Sequence, residues 1–209
     1  MVKDIFAQLI KETVKPLLTS NGYTKKGLDL YKKNGAIIYL FNVQKSHGNS
    51  VDQLKFYINC GIHSTEIDST IGTQELLFPK EHECHFRNRI SSLTGSEKDG
   101  YHLTKDTDLD VMKENLTNDI EQALSMFQDI SSTDDLTDLM IRENGLNNYE
   151  ELFEYLLLTN DQVRLKRFVK QLHDQFGTEK RWHIFENAMS DILEKHRSEI
   201  TMNDLLAQA

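Results

Sequence analysis

Ile5, Leu9, Ile10, Leu17 and Leu18 recur near helical spacing and Asn21-Gly22 follows as a stop signal, so the chain is expected to open with a helix. Proline lacks the N–H that a helix interior needs, and Pro16 should kink or shorten the last turn. Beyond it the period falls from about 3.6 to 2. Ile37, Tyr39, Phe41 and Val43 alternate with Ile38, Leu40, Asn42 and Gln44, the pattern of a strand covered on much of both faces. Asn34-Gly35 supplies a hairpin turn, which makes residues 28–33 the partner strand. After a loop at 46–50, Leu54, Phe56, Ile58, Cys60 and Ile62 mark one face of a third strand, with Tyr57, Asn59, Gly61 and His63 on the other. Strands joined by such short turns imply an antiparallel meander.

Residues 64–82 contain Gly72 and Pro79 and read as a loop holding a short helix at 73–78. Residues 83–90 alternate again and supply a fourth strand, while the Gly, Ser and Asp content of 91–105 marks another loop. Thr107 with Asp110 three residues on forms a capping box. It leads into Leu109, Met112, Leu116, Ile120, Ala123, Leu124, Phe127 and Ile130, a long amphipathic helix suited to the apolar face of the sheet. The polar stretch 131–134 is the best boundary, and beyond it only helices are expected. One is capped by Asn148 with Glu151 and carries Tyr149, Leu152, Phe153, Leu156 and Leu157. Asn160 opens a second with Val163, Leu165, Phe168, Val169, Leu172 and Phe176, and Gly177-Thr178 separates it from a third with Trp182, Phe185, Met189, Ile192 and Leu193. The expected class is α+β: an antiparallel sheet of about four strands with an N-terminal helix and a long helix packed on one face, over residues 1–131. An all-helical extension at 132–209 follows.

Charge divides along the same line. Residues 1–105 hold 14 Lys and Arg against 11 Asp and Glu, whereas residues 106–161 hold 15 acids against Lys113 and Arg142 alone. Such one-signed density repels nucleic acid and attracts basic partners, so nucleic-acid binding is not expected even though Lys25, Lys26, Lys32, Lys33 and Lys45 lie near Tyr23, Tyr31, Tyr39 and Tyr57. No apolar run reaches the roughly 18 residues of a membrane span and the first residues carry no leader pattern, which points to a cytoplasmic protein with its two cysteines, Cys60 and Cys84, as thiols.

Four motifs in order carry a resemblance: Gly22-Tyr23-x-Lys25-Lys26-Gly27, Val43-Gln44-Lys45-Ser46 with Asn49, Phe56-Tyr57-Ile58-Asn59-x-Gly61, and His85-x-Arg87-x-Arg89. Together they resemble a bacterial family known as domain of unknown function 4304, over roughly residues 1–130. That resemblance implies an α+β fold and a bacterial cytosolic setting, and it brings no activity, substrate or cofactor.

The most suggestive constellation is Glu83-x-His85-x-Arg87-x-Arg89, because alternate residues of a strand share a face and would align one imidazole with two guanidiniums. Arginine forks bind phosphate or carboxylate, histidine adds acid–base capacity near neutral pH, and Lys25 and Lys45 could extend the positive surface. Salt-bridging to local acids is the competing explanation. Cys60, His63, His82, Cys84 and His85 contain enough soft ligands for zinc, but in a strand Cys60 and His63 point to opposite faces, so neither metal nor cofactor is expected. No phosphate loop, nucleophile elbow or His-Glu-x-x-His string is present.

On these grounds the protein is expected to be a binding or regulatory protein rather than an enzyme. Its acidic helical surface, through Asp134, Asp135, Asp138, Glu150 and Glu151, would meet a basic protein as an immunity protein meets a cationic toxin. The alternative is an enzyme or ligand-binding domain for a phosphorylated or nucleotide-like anion, using His85, Arg87 and Arg89.

Overall fold

The N-terminal helical run shows how the sequence accommodates Pro16. Helix α1 (Val2–Leu9) passes through a single π turn (Ile10–Val14), closed by a bond from the Lys15 N–H to the Ile10 carbonyl, before α2 (Lys15–Ser20). A widened turn relieves the clash of the proline ring with the preceding turn without ending the helix. Asn21-Gly22 then stops it, with Gly22 at φ +85.

The computed structural model describes residues 2–96, 99–143 and 147–207. The chain divides into two units, one formed by the residues up to His63 with Leu77–Ser132, the other by Ser64–Leu76 with Thr133 onward.

The first unit is built on a sheet of β1 (Thr24–Lys26), β2 (Asp29–Asn34), β3 (Ile37–Lys45), β4 (Gln53–Ser64), β5 (Phe86–Arg89) and β6 (Tyr101–Thr104). The order is β1-β2-β3-β4-β5, and β6 also pairs with β4. The Asn34-Gly35 turn sets Asn34 opposite Ile37 and Tyr31 opposite Leu40, as expected of a hairpin whose turn needs a positive φ, here +59 at Gly35. Phe56 packs edge-on to Phe6 of α1, and Phe41 and Tyr39 pack on Phe127 of the long helix α5 (Leu109–Gln128), so one sheet face is covered by both helices.

Three sequence expectations are corrected in this part of the chain. No helix forms at 73–78; the turn nearby is α3 (Thr65–Ile71), because the Ser64 hydroxyl caps it by accepting from the Ile67 N–H and Gly72 ends it at φ +76. The region 91–105 is not all loop, since it holds most of α4 (Ile90–Thr94) and the sixth strand, whose Tyr101 and Leu103 are buried. Helix α5 is capped by Asp108, which accepts from the Asp110 and Val111 N–H groups, while Thr107 instead accepts from the Thr104 N–H.

The second unit contains α6 (Thr133–Glu143), α7 (Tyr149–Leu158), α8 (Gln162–Phe176), α9 (Trp182–Lys195) and α10 (Met202–Leu206), beside α3. Phe153, Phe168, Leu172, Met189 and Leu205 lie in its core. Two caps differ from expectation. Asn148 takes φ +59 and makes no side-chain capping bond, and α8 is capped by Asp161, whose carboxylate accepts from the Arg164 N–H, leaving Val163 81% exposed on the first turn. No described helix is long and apolar enough to cross a membrane.

Candidate functional site: the polar face of the sheet

The sheet face opposite α1 and α5 is apolar at one end and polar at the other. Tyr31, Ile38, Leu40 and Cys84 cluster at the apolar end, where the Tyr31 hydroxyl donates to the Pro79 carbonyl and its ring packs against Phe78. Gly61 belongs there because a Cβ at that position would stand 2.6 Å from the Cys84 Sγ.

Across the middle runs a hydrogen-bonded row. The Asn59 amide donates to Asn42 Oδ1 and Gln44 Oε1, each at 3.0 Å, and Asn42 donates to Asp29 Oδ1 at 2.6 Å. Asp29 is then paired with Lys80 Nζ at 3.1 Å. Asn59 is 5% exposed, and a buried amide satisfied in this way fixes the strand surface around it.

At the polar end the registers Lys55 with His102 and Asn59 with Arg89 bring three strands together. The Arg89 guanidinium lies 4.0 Å from the centroid of the Tyr57 ring, and Lys55 Nζ lies 5.4 Å from the same centroid. The ring packs against backbone at Gly100, where φ is +79 and a Cβ would come 2.6 Å from a ring carbon. Only glycine provides that approach. Asn49 holds Lys55 from the other side: its Oδ1 accepts from the Lys55 N–H at 2.6 Å and its amide donates to the Lys55 carbonyl at 3.0 Å. Arg89 is exposed and has no carboxylate partner among the described residues; Lys55 has only the distant, exposed Asp99 at 3.9 Å. Beside Lys55 is a cavity of about 150 Å³ lined by Ser46, Asn49, Gln53, His102 and Thr104.

The structure separates the sequence-derived anion set. Arg87 and Arg89 are on this face, but Arg87 is half-buried and 3.8 Å from Glu81. His85 precedes the strand, is 4% exposed, and stacks on His63 with ring centroids 4.4 Å apart. Burial, with the His63 ring beside it, lowers its pKa to about 3, so it is a neutral core side chain and no proton donor at neutral pH. Glu83 lies in a 3-10 turn (Glu81–Glu83), which explains why alternation could not align it with Arg87. Lys45 points to the helical face, its Nζ 4.5 Å from the Phe6 ring, and Lys25 pairs with Leu30 of that same face. Lys55 and Tyr57 were missed as a pair, although spacing of two along a strand puts them on one face.

Of the metal candidates, only His63 and His85 stay together, as the stacked pair. Cys60 belongs to the buried helical face, Cys84 to the apolar cluster, and His82 is exposed on the 3-10 turn. Burial pushes both thiols well up, away from the thiolate needed of a nucleophile or ligand.

The acidic candidates of the second unit are largely engaged within it. Arg164 reaches Asp134 at 3.2 Å, Asp138 at 3.0 Å and Asp161 at 2.8 Å, and Arg167 also pairs with Asp138. Glu150 is exposed and Glu151 half-buried in the first turn of α7, where acids suit the helix dipole.

The family model described as "Domain of unknown function (DUF4304)" matches residues 14–129, more than half of the chain. No curated protein and no solved structure matches.

Proposed function

The chain belongs to the DUF4304 family, and from that premise we propose that it is a binding protein whose working surface is the polar end of the sheet, which receives an anionic group on Arg89 and Lys55. One observation carries this: an exposed guanidinium whose Cζ lies 4.0 Å over the Tyr57 ring centroid, with no carboxylate partner among the described residues. A guanidinium stacked on a ring keeps its in-plane donors directed outward, the arrangement that forks onto phosphate or carboxylate. A cytoplasmic setting accords with the free thiols. A binding role, rather than catalysis, accords with the burial of Cys60, Cys84 and His85, the groups best suited to nucleophilic or acid–base work. Calorimetric titration with pyrophosphate tests it. The protein is expected to bind at sub-millimolar to millimolar strength, and Arg89→Gln should weaken binding about tenfold or more; equal binding by the variant would remove the basis for the site.

A second role, docking of a basic protein on acidic helices, is favoured by the exposed Asp110, Glu114 and Glu121, which follow at intervals of four and seven along α5. With Asp134 and Asp138 occupied by Arg164, that stripe is the acidic surface best placed for it. Asp110→Asn, Glu114→Gln and Glu121→Gln together should then abolish salt-sensitive capture of a basic partner, and unchanged capture would exclude the stripe.

A further inference from the structure

The cavity beside Lys55 shares that residue with the cationic pair, and its other polar walls are hydroxyl, amide and imidazole groups. Ser46, Gln53, His102 and Thr104 line it, with Asn49 already committed to the Lys55 backbone. Gln53 stands opposite Thr104 and Lys55 opposite His102 in the β4–β6 register, so these four side chains share one side of the ladder. Hydroxyl, amide and imidazole groups in such a row match a ligand rich in hydroxyls, because each offers both donor and acceptor capacity. Size narrows the class. At about 150 Å³ the cavity is well below the roughly 300–1,000 Å³ usual for drug-sized ligands, so it admits a single small body and not a nucleoside.

Resting on the anion site proposed above, we infer that the ligand is a small phosphorylated polyol, its phosphate on Arg89 and Lys55 and its hydroxylated body in the cavity between Gln53, His102 and Thr104. Lys55 joins the two parts, and Asn49 is a positioning residue that fixes the Lys55 backbone at both its N–H and its carbonyl.

The test compares ribose 5-phosphate, inorganic phosphate and adenosine monophosphate by calorimetry on the full chain. Ribose 5-phosphate should bind about tenfold more tightly than inorganic phosphate, the worth of one or two net hydrogen bonds, and adenosine monophosphate no more tightly than ribose 5-phosphate. Thr104→Val and, separately, Gln53→Leu should remove that advantage while leaving the affinity for inorganic phosphate unchanged, which also shows that each variant is folded. Equal affinities for ribose 5-phosphate and inorganic phosphate would overturn the polyol while leaving the anion site standing. Tighter binding of adenosine monophosphate would overturn the small body. Absence of binding by all three would overturn the anion site and the polyol with it.

Discussion

The guanidinium of Arg89 lies 4.0 Å from the Tyr57 ring centroid, and the same ring packs on backbone at Gly100. Neighbours in strand β4 and in the segment before β6 thus set the orientation of one exposed cation on β5. Replacing the ring should cost orientation more than charge. Tyr57→Leu is expected to weaken pyrophosphate binding several-fold, with a smaller effect than Arg89→Gln, and titration of both variants at one salt concentration checks the order.

Gly61 faces Cys84. Its Cβ would stand 2.6 Å from Sγ and 3.0 Å from the Cys84 Cβ in a fully buried place, so Gly61→Ala should destabilise the protein by about 1–3 kcal/mol. Adding Cys84→Ala removes the sulfur but not the Cβ, and part of the loss should return. Urea denaturation of the two single variants and the double variant measures the coupling.

Asp119 on α5 accepts hydrogen bonds from the Tyr101 hydroxyl, from Thr94 Oγ1 at 3.1 Å and from Ser96 Oγ at 3.0 Å, and is 5% exposed. It ties β6 and the end of α4 to the long helix. Asp119→Ala leaves the Tyr101 and Ser96 hydroxyls without their acceptor, while Thr94 keeps the Ile90 carbonyl, and is expected to cost about 3 kcal/mol, whereas Tyr101→Phe should cost about 1–2 kcal/mol. Chemical denaturation ranks them.

Hydrogen bonds from Arg164 hold the Asp138 carboxyl below its ordinary value of 3.8, and the Arg164 backbone and side chain do the same for Asp161. Carboxylates with lowered folded values contribute stability that is complete above the ordinary value and is lost as pH falls through the folded values. Melting temperature should therefore decline below about pH 4, and Arg164→Met should flatten the part of that decline that Asp138 and Asp161 supply. Both carboxylates are partly exposed, so the effect is screened by salt.

The elements that were legible are those whose pattern is long and bounded by a turn signal. The β2–β3 hairpin, announced by Asn34-Gly35, and α5, with its apolar stripe from Leu109 to Phe127, need no tertiary information. Strand β6 escaped because two buried residues, Tyr101 and Leu103, are too few to show a period among glycine and aspartate. His85 was misplaced for a related reason: alternation continues unbroken from Glu83 to Arg89, yet the chain turns through a 3-10 helix before the strand begins at Phe86. The Lys45 ammonium faces away because β3 alternation puts it with Val43 and Phe41, which the sequence pattern already contained. That Arg89 has no acid partner among the described residues, and that Asp134 and Asp138 have one in Arg164, depends on contacts distant in sequence.

The most direct measurement is the Nε–H resonance of Arg89, assigned by its loss in Arg89→Gln and followed by NMR during titration with pyrophosphate. A saturable shift of that resonance, with smaller shifts at the Lys55 and Tyr57 amides and none at Lys25 or Lys45, is the predicted result. An unmoved Arg89 resonance at saturating pyrophosphate would contradict the assignment of this face as the working surface.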